Sequence, residues 1–156
     1  MHRLRVYVDT SVFGGVADEE FAEPSRRFFE RVKQGGCIVL VSDVTYRELQ
    51  NSPGIVRGVL TDLAPESVEE VALDEEVDRL ADAYIAAKAL GPAAKGDALH
   101  VAAATVAGAD LILSWNFKHI VNYSRIRVFN SVNMVHAYHL IDIRSPLEMD
   151  DESENI

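Results

Sequence analysis

The chain has 156 residues, of which 48% are apolar and 26% charged, and a formal net charge of −10; this length and balance describe one ordinary globular domain with a full core. The acidity excludes a protein that coats nucleic acid by bulk attraction, but not one that presents a local basic rim around an acidic pocket. No apolar run approaches the roughly 18 residues of a membrane span, MHRLRVYVDT carries no secretory h-region, and the lone Cys37 provides neither an intrachain disulfide nor a zinc spacing, so no membrane association and a cytoplasmic location are expected.

Leu4–Val8 is a short apolar run ending at Asp9 and is expected to be a strand. Pro24 and Ser25 precede RRFFERVKQ, where Phe28, Phe29 and Val32 share a helical face and Gly35 stops the helix. Cys37–Val41 is continuously apolar, as in a strand buried on both faces. Ser42 or Asp43 caps a helix carrying Tyr46, Glu48 and Leu49, and Ser52-Pro53 opens another through about Leu63. Glu69–Leu73 is expected as a short strand, followed by a long helix from Glu75 to Leu90 capped by Asp74 and ended by Gly91-Pro92. Asp97–Ala107 is an Ala-rich helix and Asp110–Ser114 a strand. Phe117–Asn122 is expected as a short helix, Arg125–Phe129 as a strand, Ser131–Tyr138 as a final helix and Leu140–Ile143 as an edge strand. Alternating β and α elements imply a mostly parallel sheet covered on both faces. Acidic residues crowd Glu66–Asp82 and the C-terminus, which predicts one domain over 1–147 and a solvated, disordered tail over 148–156.

Oxygen-bearing side chains at four places share a property: each sits at or near the end of an element. Asp9 ends the first strand. Glu48 rides the helix directly after the second. Asp97 starts the Ala-rich helix, and Asn116 follows LILSW. An open α/β sheet collects such positions at one rim, outside the carboxyl ends of its strands. Carboxylates placed together repel, and a hard cation such as Mg²⁺ or Mn²⁺ is the usual reason to keep them together. Singly, each has a plain structural role: Asp9 a turn, Glu48 a surface ion pair, Asp97 a helix cap. Thr10, Ser11 and Ser114 are candidate supports for the acids or contacts to phosphate. His100, one helical turn after Asp97, suits a packed or supporting role better than proton transfer. Lys118 and His119 suit a phosphate rim or a solvated surface equally. The basic stretch Arg26, Arg27, Arg31 and Lys33 suits a solvated face, Trp115 and Phe117 suit core anchors better than base-stacking platforms, and Cys37 suits the core. No GxxxxGK[ST] or GxGxxG loop is present. A phosphatase with an aspartate nucleophile of the haloacid-dehalogenase type wants a second acid where Ser11 stands.

VDTSV, the glutamate of TYREL, GDALHVAAA and GADLILSWNF, in that order, resemble the motifs of PIN-domain nucleases, including VapC-type toxins of toxin–antitoxin pairs, from Asp9 to about Leu147. The resemblance implies a three-layer α/β/α sandwich with a central mostly parallel sheet, and Mg²⁺- or Mn²⁺-dependent hydrolysis of RNA. By position, Asp9, Glu48 and Asp97 match the acidic metal ligands, and Asn116 falls where many members carry a fourth acid. The amide removes one charge and keeps one oxygen acceptor, so a second ion would be held more weakly. The resemblance also implies an antitoxin partner and a homodimer. The alternative is a PIN-like protein–protein interaction module, weakly active or inactive through Asn116.

Overall fold

Successive strand residues point to opposite faces of a sheet, and here that alternation divides the chain between two cores. In the computed structural model, which describes residues 3–149, β1 (Leu4–Val8), β2 (Cys37–Val41), β3 (Val68–Glu70), β4 (Leu111–Leu113) and β5 (Asp142–Arg144) form one sheet in the order β3-β2-β1-β4-β5. All four pairings are parallel. Val6, Val8, Val39, Val41, Leu111 and Leu113 face one core, shared with α1 (Thr10–Gly15), α2 (Ala22–Lys33) and α4 (Gly54–Thr61). Tyr7, Leu40 and Ile112, the residues between them, face the other, shared with α5 (Glu75–Ala86), α6 (Lys95–Val106) and α7 (Tyr123–Val135). The result is the three-layer α/β/α arrangement, with Cys37 fully buried in the first core.

The chain runs β1→β2→β3 toward one edge, then returns to place β4 on the other side of β1. A topological switch point therefore lies between the carboxyl ends of β1 and β4, the place where open α/β sheets form a crevice. Asp9 stands there, its N–H bonded to Leu113 O at 2.9 Å. The helix α3 (Asp43–Leu49) leaves the end of β2 beside it; Ser42 caps this helix in a reciprocal pair with Thr45.

Several element expectations are corrected. Arg125–Phe129 is not a strand but part of α7, because Asn122 accepts the Arg125 N–H as a helix cap and because Phe129, Val132 and Asn133 bury one helical face. Phe117–Asn122 is a turn rather than a helix, closed by Ile120 N–H and Val121 N–H on Asn116 O. The helix begun at Glu75 ends at Ala86, short of Leu90, where Lys88 takes a positive φ of 65°. The edge strands lie at Val68–Glu70 and Asp142–Arg144, each slightly displaced from its expected place. Helix α1 was not among the expected elements. Gly15 is there for space: a Cβ would stand 2.4 Å from Ser25 Oγ and 2.8 Å from Trp115 Nε1. Of the expected tail, Met149 is buried in the first core, and residues 150–156 lie outside the described residues.

Candidate active site at the carboxyl ends of β1 and β4

Asp9 is 4% exposed, and two serines fix its orientation. Ser11 Oγ accepts the Trp115 N–H at 2.9 Å and donates its proton to Asp9 Oδ2 at 2.6 Å. Ser114 Oγ accepts the Asn116 N–H at 2.9 Å and donates to the same Oδ2 at 2.8 Å. Each serine accepts a backbone N–H and donates its one proton to the carboxylate, and the two Oγ atoms lie 3.5 Å apart. Oδ2 is thus occupied, and Oδ1 faces His100, whose Nε2 lies 3.5 Å away.

Glu48 reaches the same place from α3. Its Oε1 accepts from Thr10 Oγ1 at 2.7 Å and sits 2.5 Å from His100 Nε2. Its Oε2 lies toward Gly96, beside Asp97. Burial works to raise the Glu48 pKa, but the hydrogen bond and charge of His100, the Thr10 hydroxyl and Arg47 outweigh it, and the net shift is downward. Asp9, Glu48 and His100 each offer a ligand atom within 4.8 Å of the others.

His100 and Asp97 share α6 three residues apart, and so lie on one side of it. Asp97 is in the first turn, not at the cap, because the helix already begins at Lys95. Its pKa is raised, by burial first and then by the Asp9 charge, against opposition from His119 and His100. His119 Nδ1 lies 3.0 Å from Asp97 Oδ2. His100 is fully buried, with Nδ1 2.7 Å from the Tyr7 hydroxyl, itself 2.8 Å from Ser42 Oγ. Burial alone would lower its pKa; the Tyr7 hydroxyl and the Glu48 and Asp9 carboxylates prevail and push it up to about 10. The acids therefore sit in a pocket with a built-in counter-charge.

Asp9, Glu48, His100, Thr10, Ser11 and Ser114 form one bonded cluster, and Asp97 joins it through the charge of Asp9. Asn116 is placed differently. Its backbone N–H serves Ser114, but its side-chain oxygen accepts the His119 N–H at 2.9 Å, within its own turn. Lys118 is exposed on that turn. Tyr7 and Ser42 were not legible as site residues: a tyrosine in RVYVD looks like any core aromatic, and its partner His100 is 93 residues away. His119 was expected on a phosphate rim or a solvated surface, and its contact with Asp97 has no sequence signal.

A family model described as PIN domain matches residues 6–119, a span that contains all of these residues. Among solved structures, the chain is similar to VapBC2 from Rickettsia felis bound to a DNA fragment from their promoter, with 11% identity, coverage of 91% of this chain and 98% of that chain, and a TM-score of 0.58. It is similar also to DNA-bound VapBC from Salmonella typhimurium, with 16% identity, coverage of 92% and 98%, and a TM-score of 0.56. At such identities the likeness speaks for the fold. No curated protein matches the sequence.

Proposed function

The chain belongs to the PIN-domain family, and from that premise we propose that it is a divalent-metal-dependent endoribonuclease that hydrolyses RNA phosphodiester bonds, acting in the cytoplasm as the toxin of a toxin–antitoxin pair. PIN domains are generally nucleases. The observation that carries the proposal for this chain is the convergence of Asp9, Glu48 and His100 within 4.8 Å at the switch point, with Asp97 near enough for the Asp9 charge to raise its pKa.

The donor set fits a hard divalent cation: it is dominated by carboxylate oxygen, already desolvated and mutually repelling. Asp9, Asp97 and Glu48 would hold Mg²⁺ or Mn²⁺, which when bound would supply charge neutralisation at the scissile phosphodiester and an activated water. The remaining work falls to the side chains. Ser11 and Ser114 hold Asp9 so that Oδ1 faces the pocket. Thr10 and His100 hold Glu48 by Oε1, which leaves Oε2 to orient the attacking water. His119 steadies Asp97. Tyr7 fixes the ring of His100 through Nδ1, the kind of support behind a site that sets its precision.

An antitoxin partner is proposed from the VapBC neighbours, and a homodimer from the exposed apolar side chains Ile55, Met134 and Val135 on α4 and α7. None of the helices among the described residues is long and apolar enough to cross a membrane. A second reading, a PIN-like interaction module with little or no activity, is favoured by one observation: the Asn116 amide oxygen is engaged by His119 N–H rather than by the acids. Incubation of the chain with labelled RNA separates the two. The nuclease reading expects cleavage that needs Mg²⁺ or Mn²⁺, stops with chelator and is lost in Asp9→Asn. A wild type that neither cleaves RNA nor binds either cation leaves the module.

A further inference from the structure

Acids dominate this chain, yet two stretches of it have none. Residues 111–141 contain no Asp or Glu, although the chain has 25, and they carry Lys118, Arg125 and Arg127. Residues 83–96 are likewise free of acids and carry Lys88 and Lys95. The fold brings the two stretches together. Arg125 Nη1 donates to Ala89 O at 2.5 Å, and Lys88, Ala89, Asn122, Ser124, Arg125 and Val128 line one cleft between the chain leaving α5 and the start of α7.

Charge sets this cleft apart from the other grooves. The one between α3 and α5 balances Arg47 and Arg79 against Asp74, Glu75 and Asp78. The one between α2 and α4 balances Arg26 and Lys33 against Glu30 and Asp62. Lys95, the other cation of the acid-free stretch before Asp97, pairs with Asp78 and Asp82. Lys88 and Arg125 pair with no carboxylate among the described residues, and Lys88 is exposed. Ser124 adds an exposed hydroxyl. Cations held side by side repel, as clustered carboxylates do, and an anion is the physical reason to keep them together.

Measured contacts tie the cleft to the acids. His119 Nδ1 stands 3.0 Å from Asp97 Oδ2. Asn122 follows three residues later, so its Cα is within about 11 Å of that of His119. It donates from Nδ2 to Phe117 O at 3.4 Å and accepts the Arg125 N–H on Oδ1 at 3.3 Å. The turn after β4 thus meets Asp97 at its middle and the cleft at its end. We propose that this cleft is a backbone-phosphate subsite, which grips the RNA strand away from the cleaved bond and sets its position on the acids. The inference rests on the nuclease reading above and deepens it. A guanidinium, an ammonium and a hydroxyl suit phosphodiester oxygens, and such contacts position a strand without reading its bases. Nearness to Asp97 favours nucleic acid over an acidic protein segment, because a strand seated on the acids carries its further phosphates across this turn.

Binding is measured in the Asp9→Asn background, where RNA is not consumed, by fluorescence anisotropy with fluorescein-labelled oligouridylate of about 12 nucleotides. Trp115, the only tryptophan, reports through its emission that each variant is folded. Lys88→Gln removes a cation with no structural partner. It is expected to weaken binding about fivefold at about 0.1 M salt and to lower the slope of log affinity against log salt by about 0.7. Arg125→Gln is expected to lose at least as much, and Arg125→Lys, which keeps the charge, to recover most of it. Oligocytidylate is expected to follow oligouridylate, and Lys33→Gln, the same change of charge on α2, to leave affinity and slope unaltered. A Lys88→Gln variant with the parent's affinity and slope, or a loss that Lys33→Gln matches, would overturn the proposal and leave the nuclease reading standing. So would binding of polyglutamate that Lys88→Gln abolishes while RNA binding persists, the mark of a site for an acidic protein segment. A parent that binds no RNA overturns the proposal too; if the wild type also neither cleaves RNA nor binds Mg²⁺ or Mn²⁺, the nuclease reading goes with it.

Discussion

Tyr7 and Tyr84 are both fully buried in the core on the same side of the sheet, and both use their hydroxyls, but toward different ends. Tyr84 donates to Asn133 Oδ1 at 2.6 Å and lies 3.3 Å from Thr105 Oγ1. Thr105 donates to Val101 O, while Asn130, beside Asn133, both donates to and accepts from the backbone of Ile141. This network is neutral and closed, and burial pushes the Tyr84 pKa upward, so it stays a phenol. It secures α7 and the chain entering β5. Tyr7 instead leads through His100 to Glu48 and Asp9, a charged network that opens on solvent at Glu48. Buried charge costs stability even when paired. A fold that needed only cohesion would repeat the Tyr84 solution; the Tyr7 network makes sense as a device that keeps carboxylates together for a ligand.

The two networks are expected to diverge most at the acids. Asp9→Asn is expected to reduce RNA cleavage by at least about a hundredfold with little loss of stability, because it relieves repulsion and keeps an oxygen for Ser11 and Ser114; cleavage rates beside urea unfolding check both halves. Tyr7→Phe comes next. It leaves His100 Nδ1 and Ser42 without the hydroxyl, and cation affinity by calorimetry is expected to fall about 10- to 100-fold. Tyr84→Phe should give the reverse profile, a loss of about 1–2 kcal/mol in urea unfolding with unchanged cleavage per folded molecule.

A further expected difference is in pH dependence. The folded pKa of His100 is raised from 6.5 to about 10, so its contribution is fully present below pH 6.5 and is lost as pH rises through 10. With chelator present, unfolding free energy across that window is expected to fall more steeply in the wild type than in His100→Gln, whereas Tyr84→Phe keeps the wild-type slope. Equal slopes in wild type and His100→Gln would show that the two networks do not differ in charge.

How much of this was legible in the sequence follows from the range of the forces involved. The strands β1, β2 and β4 and the acids Asp9, Glu48 and Asp97 could be read because local patterning reveals where apolar runs stop, and stops are where an α/β sheet exposes its rim. What failed depended on distant or competing signals. RIRVF at Arg125–Phe129 alternates like a strand, but Asn122 as a cap and a buried face through Phe129 and Val132 decide for helix. The wiring of Tyr7 to His100, and of His119 to Asp97, joins residues that only the folded sheet brings together. Asn116 was expected to turn its oxygen toward the acids, but a backbone N–H three residues on is a nearer partner.

Asp9, Asp97 and Glu48 are proposed to form one cation-gripping cup. A crystal soaked in Mn²⁺ and measured for anomalous scattering tests it directly. An anomalous peak is expected within coordination distance of Asp9 and Asp97, absent in crystals of Asp9→Asn. A soaked crystal with no peak at these carboxylates, or with manganese only at the surface acids of α5, would contradict it.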